Sequence, residues 1–155
     1  FYFKIPYMPL NSGQSPDSRE GMKRYELCTV LENKKILIVD DNRTVHRLLA
    51  AYFEKYGSSI ISAESGTEAV EKLENNRDID IVLLDIQMPD IDGTVVINLI
   101  KNINKEIPVV AQTANALEED KSRYIELGFD SYISKPYNRD ELFNTVCSLL
   151  IKSKK

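Results

Sequence analysis

Asp40, Asp41, Asp85, Thr113 and Lys135 each stand at the end of a short, mostly apolar run. Asp40-Asp41 follows Lys35-Ile36-Leu37-Ile38-Val39, Asp85 follows Ile81-Val82-Leu83-Leu84, Thr113 follows Val109-Val110-Ala111-Gln112, and Lys135-Pro136 follows Tyr132-Ile133-Ser134. If the first and third runs are neighbouring strands, three carboxylates converge on one small space, where they repel each other unless a cation relieves them. An oxygen-only ligand set of high charge favours a hard dication such as Mg²⁺, which keeps several waters and takes a phosphoryl group as a partner. A lysine and a hydroxyl suit the outer oxygens of that phosphoryl. Strand-end acids can also do no more than cap the next helix, as Asp41 or Asn42 could. Capping does not account for all of these residues falling at the same ends.

The elements that must position them are legible as an alternation of two periods. Continuous apolar runs suit strands buried on both faces, as in parallel sheets; these are Lys35 to Val39, Ser59 to Ala63, Ile79 to Leu84, Pro108 to Gln112, and Tyr132 to Ser134. Between them, apolar residues recur at helical spacing. Val45, Leu48, Leu49, Tyr52, Phe53 and Tyr56 mark a first helix stopped by Gly57, and Val70 and Leu73 a second behind the capping box Ser65-Gly66-Thr67-Glu68. Val96, Leu99, Ile100 and Ile103 mark a third helix starting at Asp92-Gly93. A fourth runs from Asn115 to Leu127 with a poor apolar stripe and ends at Gly128; a fifth, capped by Asn138, carries Leu142, Val146, Leu149 and Leu150. Five βα units in strict alternation predict a doubly wound α/β fold with a parallel sheet and helices on both faces. In such sheets ligands sit beyond the carboxyl ends of the strands, where the strand order reverses.

Composition bounds the function classes. The 155 residues are 43% hydrophobic and 28% charged, with a net charge of −4, ordinary for a globular protein. No basic stripe is present, which argues against nucleic-acid binding. No apolar run approaches the length needed to cross a bilayer, so membrane contact by this chain is not expected. Cys28 and Cys147 are isolated and read as reduced thiols.

Together, Val39-Asp40-Asp41-Asn42, Leu84-Asp85-Ile86-Gln87-Met88-Pro89-Asp90-Ile91-Asp92-Gly93, Val109-Val110-Ala111-Gln112-Thr113-Ala114 and Tyr132-Ile133-Ser134-Lys135-Pro136 resemble a two-component receiver domain, the CheY-like response-regulator family, from about Lys34 to Ile151. The resemblance implies a (βα)5 flavodoxin-like sheet with strand order 2-1-3-4-5. It implies that Asp85 is the phosphoacceptor, that Asp40 and Asp41 hold Mg²⁺ with Asp85 and the Gln87 carbonyl, and that Thr113 and Lys135 grip the phosphoryl. Tyr132 falls at the family's aromatic switch, Gln87 and Asn115 at the positions that tune acyl-phosphate hydrolysis, and the Lys135-Pro136 bond is expected cis. Such a domain catalyses its own phosphorylation and dephosphorylation, and its partners are a histidine kinase domain and a histidine phosphotransfer protein. A homodimer through the fourth helix, fifth strand and fifth helix belongs to the same expectation, as does a cytoplasmic location beneath a membrane-anchored parent protein.

Two further motifs compete for attention. Asp90-Ile91-Asp92-Gly93-Thr94-Val95 spells the nucleophile motif of haloacid-dehalogenase-like phosphatases, but that motif needs its first Asp directly after a buried strand, and here Met88-Pro89 precedes it. His46, the only histidine, lies inside the first helix without the flanking residues of a kinase or phosphotransfer histidine. It is expected to be exposed or half-packed.

The opening Phe1-Tyr2-Phe3-Lys4-Ile5-Pro6 alternates like a strand. Phe1, Phe3, Ile5 and Pro6 resemble the last strand of a histidine-kinase ATP-binding domain. The expected organisation is therefore a kinase remnant at 1–7, a linker at 8–33 and a receiver at 34–152. Within that linker, Leu27, Val30 and Leu31 would equally suit a helical turn packed on the domain. By this resemblance the chain is the C-terminal part of a hybrid sensor kinase, with a free-standing regulator acting as a binding module as the alternative.

Overall fold

The computed structural model describes residues 29–114 and 118–153. The strands are β1 (Lys35–Val39), β2 (Ser59–Ala63), β3 (Ile81–Asp85), β4 (Val109–Thr113) and β5 (Ser131–Ser134). The helices that alternate with them are α1 (Arg43–Glu54), α2 (Gly66–Asn75), α3 (Gly93–Ile103), α4 (Glu118–Glu126) and α5 (Arg139–Ser153). All strand pairings are parallel, in the order β2-β1-β3-β4-β5. This is the flavodoxin-like sheet that the alternation and the resemblance imply.

Because side chains alternate across a strand, each strand feeds two cores. Ile36, Ile38, Ile81, Leu83 and Val110 pack with Leu49 and Phe53 of α1 and Phe143 and Val146 of α5. Leu37, Val39, Val82, Leu84, Val109 and Ala111 pack with Leu73 of α2, Val96, Ile97 and Ile100 of α3, and Tyr124 of α4. The continuous apolar runs in the sequence are therefore two interleaved faces.

Helix starts follow their polar caps. Asn42 Oδ1 accepts from Thr44 N–H, Ser65 Oγ from Glu68 N–H, Asp92 Oδ1 from Thr94 N–H, and Asn138 Oδ1 from Asp140 and Glu141 N–H. Gly57 and Gly128, which follow the ends of α1 and α4, take φ of +82° and +102°, a conformation that favours glycine.

The boundaries differ from expectation in an informative way. Strands β3 and β4 run through Asp85 and Thr113 rather than ending one residue before them. Their backbones continue the ladder, with Asp85 opposite Gln112 and Thr113 opposite Ser134. Leu48 and Leu99, expected on the apolar faces of their helices, are 39% and 38% exposed. The buried stripe of α1 is instead His46, Leu49 and Phe53, and that of α3 is Gly93, Val96, Ile97 and Ile100. Of the stretch read as linker, residues 29–31 form a helical turn whose Leu31 is fully buried in the α1/α5 core. Ser58 Oγ donates to the Leu31 carbonyl at 2.8 Å. The opening strand, the rest of the linker, Cys28 and the start of the fourth helix at 115–117 lie outside the described residues.

Two outcomes follow from this packing. Burial pushes the Cys147 thiol up to about 11, leaving about one thiolate in a thousand at pH 8. Peptide mapping after iodoacetamide treatment should find Cys147 unmodified in the native protein and labelled once urea unfolds it. At Gly93, an added Cβ would lie 2.7 Å from Ile86 Cα and 2.8 Å from the Asp85 carbonyl oxygen. Neither is a side-chain atom that can swing aside. Gly93→Ala should cost about 1–3 kcal/mol in urea unfolding.

Candidate functional site

The sheet order puts β1 beside β3, and parallel strands end at the same edge. Asp40, Asp41 and Asp85 are thereby brought together: one carboxylate oxygen from each lies within 4.8 Å of the others. Asp40 is fully buried, Asp85 nearly so, and Asp41 exposed. From the end of β5, Lys135 reaches into the cluster. Its Nζ lies 2.6 Å from Asp40 Oδ2 and 3.1 Å from Asp85 Oδ2, and the Lys135–Pro136 peptide is cis. The other oxygen of each acid takes a backbone donor two residues on: Asn42 N–H meets Asp40 Oδ1 at 2.8 Å and Gln87 N–H meets Asp85 Oδ1 at 2.9 Å.

These contacts set the electrostatics. Burial holds the Asp85 carboxyl above its ordinary range, outweighing the stabilisation of its anion by Gln87 N–H and Lys135. Burial works against the Lys135 ammonium too, but its bonds and proximity to Asp40 and Asp85 prevail, and its pKa is raised. Lys135 is thus a fixed cation between two carboxylates. The cluster fits a hard dication: every donor is oxygen, the separations are small, and the exposed Asp41 leaves one side open to water.

Thr113 ends β4 and is buried, its Oγ1 accepting a hydrogen bond from Tyr124 OH of α4 at 3.3 Å. The half-buried Tyr132 on β5 packs its ring 6.2 Å from that of Tyr124. Beside them lies a groove of about 310 Å³ lined by Gln87, Met88, Asp92, Thr94, Thr113, Arg123 and Tyr124, among others. The structure therefore brings Asp40, Asp41, Asp85 and Lys135 into one cluster, with Gln87 bonded to Asp85 through its backbone. Thr113 and Tyr132 flank that cluster. Asn115 lies outside the described residues.

Sequence reasoning missed two supports. His46 is buried, not exposed or half-packed; its Nε2–H donates to the Asp40 carbonyl at 2.6 Å. The i, i+3, i+7 spacing of His46, Leu49 and Phe53 carried that signal, because it places the histidine on the apolar stripe. Tyr137 OH donates to the side-chain oxygen of the buried Gln112, tying the segment after Lys135 to the residue opposite Asp85. A glutamine and a tyrosine near strand ends give no such signal in sequence.

The phosphatase-like motif resolves into two caps. Asp90 Oδ2 accepts from Gly66 and Thr67 N–H at 3.1 and 3.4 Å, at the start of α2, while Asp92 caps α3. Neither follows a strand. Asp90→Ala should lower stability by about 1 kcal/mol, with no p-nitrophenyl phosphate turnover in either protein.

Over residues 36–147 the sequence matches the response regulator receiver domain family. Histidine kinase 3 of Arabidopsis thaliana is 30% identical, across 86% of this chain and 15% of that protein. The sensor histidine kinase RcsC of Salmonella typhi is 41% identical, across 74% of this chain and 12% of that one. The response regulator SaeR of Staphylococcus aureus is 37% identical, across 77% of this chain and 52% of that one. The chain thus spans well under two thirds of the length of these relatives. Among solved structures, a CheY-like receiver domain protein from Methanospirillum hungatei superposes with a TM-score of 0.73 at 27% identity, over 79% of this chain and 98% of that one. A two-component response regulator from Clostridium difficile gives 0.73 at 28% identity, over 79% of this chain and all of that one. With the sheet order, the acidic cluster and the family match in agreement, this chain belongs to the response regulator receiver domains of two-component systems.

Proposed function

We propose that this receiver takes a phosphoryl group from a phosphohistidine onto Asp85. The observation that carries this reading is the placement of Asp85 at the centre of the cluster, one oxygen held by Gln87 N–H and the other by Lys135. In the step, a carboxylate oxygen of Asp85 forms a bond to phosphorus as the phosphorus–nitrogen bond of the donor breaks. The imidazole leaves with that electron pair and the product is an aspartyl phosphate. A carboxylate is a weak nucleophile, so alignment and charge neutralisation supply most of the acceleration.

Receiver domains bind Mg²⁺ at acidic residues, and here Asp40, Asp41, Asp85 and the Gln87 carbonyl would hold it. When bound, the dication offsets the negative charge that the carboxylates and the phosphoryl share. Lys135 stays beside Asp85 and meets the charge developing on the transferred group. Thr113 then bonds a phosphoryl oxygen, and Tyr132 follows into the space its side chain leaves. The readout is a changed surface around α4, β5 and α5, the face through which two copies would pair.

Receiver domains work with histidine kinases or phosphotransfer partners. We place this receiver, expected at residues 34–152, in a hybrid sensor kinase, behind a kinase remnant at 1–7 and a linker at 8–33 whose residues 29–31 dock on the receiver core. The similarity to Histidine kinase 3 and RcsC supports that context. Onward transfer to a phosphotransfer protein, or control of its own kinase, follows from it, on the cytoplasmic side of a membrane-anchored parent. The similarity to SaeR favours a second reading, a response regulator in which the receiver acts as a phosphorylation-switched binding module.

Intact mass after incubation with acetyl phosphate and Mg²⁺ tests the phosphoacceptor. Wild type should gain one phosphoryl group and Asp85→Asn none, and Lys135→Ala should slow the gain about 100-fold. An equal gain in Asp85→Asn would remove Asp85 from the mechanism.

A further inference from the structure

Tyr124 is used by neither the acidic cluster nor the switch position, yet it is buried and its hydroxyl donates to Thr113 Oγ1. Strand alternation gives that bond a direction. Thr113 shares its face of β4 with Val109 and Ala111, which pack in the α2–α4 core. Asp85 shares its face of β3 with Ile81 and Leu83, which pack in the α1/α5 core. Tyr124 therefore draws the Thr113 hydroxyl toward α4, to the side of the sheet away from the carboxylates. The ring of Tyr124 is itself held, edge-on against Phe129 with centroids 6.1 Å apart and tilted against Tyr132 at 6.2 Å. It also lines the groove beside Asp92, Thr94 and Arg123, so water can take over its hydroxyl when Thr113 leaves.

We propose that Tyr124 is a positioning residue, a latch whose hydroxyl holds Thr113 in the unphosphorylated arrangement and ties α4 to the phosphoryl group. This rests on the phosphoacceptor reading of Asp85. For Thr113 to bond a phosphoryl oxygen on Asp85, its side chain must turn back across the strand end and give up Tyr124. That exchange opposes phosphoryl binding by the strength of one buried hydroxyl–hydroxyl bond. The same exchange frees Tyr124 at the moment Tyr132, packed against it, is to move. Phosphoryl arrival thus releases one tyrosine of α4 and one of β5 together.

The test is a titration of the full chain with beryllofluoride, a phosphoryl analogue, at saturating Mg²⁺, followed by amide NMR shifts. Tyr124→Phe removes only the hydroxyl and keeps the ring contacts. It should bind beryllofluoride about 2- to 10-fold more tightly than wild type, the factor expected for one net hydrogen bond, while its affinity for Mg²⁺ alone stays unchanged. In a Thr113→Ala background the same substitution should change nothing, because the latch acts through the threonine hydroxyl. Unchanged or weaker binding by Tyr124→Phe overturns the latch, as does an equal gain in the Thr113→Ala background. If wild type binds Mg²⁺ but no beryllofluoride, the phosphoacceptor reading fails and the latch fails with it. Binding by wild type without the Tyr124 effect removes the latch alone.

Discussion

The neutralisation of two buried carboxylates by one lysine is the interaction on which the edge of this sheet depends. Asp40 and Asp85 sit at the ends of adjacent strands and are largely withdrawn from water. Left unpaired, two such charges would cost several kcal/mol. Lys135 reaches both from the end of β5, two strands away from β3. Stabilising the acid pair is therefore a long-range requirement, met only when the sheet has closed in the order β1-β3-β4-β5. Asp41 brings a third carboxylate to the same place, so three acids share that one ammonium. A site left short of positive charge attracts a dication and a ligand that brings one, which couples stability at this edge to its chemistry.

The supports beneath the cluster are consistent with that demand for placement. His46 fixes the Asp40 carbonyl from below, Asn42 and Gln87 donate backbone N–H groups to the two acids, and Tyr137 anchors the segment after Lys135 on Gln112. These contacts lie within a few residues of the cluster and come from α1, from β4, and from the loops after β1, β3 and β5. The carboxylates are held from several elements at once. That is what the proposed transfer, relying on alignment rather than on a strong nucleophile, requires.

How much of this was legible in the sequence depended on whether one element or two carried the signal. The strands, helix caps and strand-end acids were readable because each is written in a contiguous stretch: an apolar run, a cap residue, an acid behind it. The sheet order was not in those runs, and it came from the resemblance. His46 is polar by type, and only its position puts it on the apolar stripe. Leu48 is the reverse case, apolar by type but off the face that Leu49 and Phe53 define. The Tyr124–Thr113 and Tyr137–Gln112 bonds join residues 11 and 25 positions apart on different elements, so no local pattern announces them.

The segment from Asp85 to Asp92 shows why residue type alone underdetermines role. It holds three aspartates within eight positions. What separates them is the donor each meets. Asp85 lies in a strand, buried, and meets an ammonium and the N–H of Gln87. Asp90, past Pro89 and exposed, meets the free N–H groups at the start of α2, and Asp92 meets those at the start of α3. The last two are helix caps, and the close approach of Gly93 to the Asp85 backbone presses α3 against the strand that carries the first. A loop that reads as a nucleophile motif is thus the clamp fixing two helices around Asp85, five residues earlier. Pro89, past the strand end and directly before Asp90, divides the two tasks.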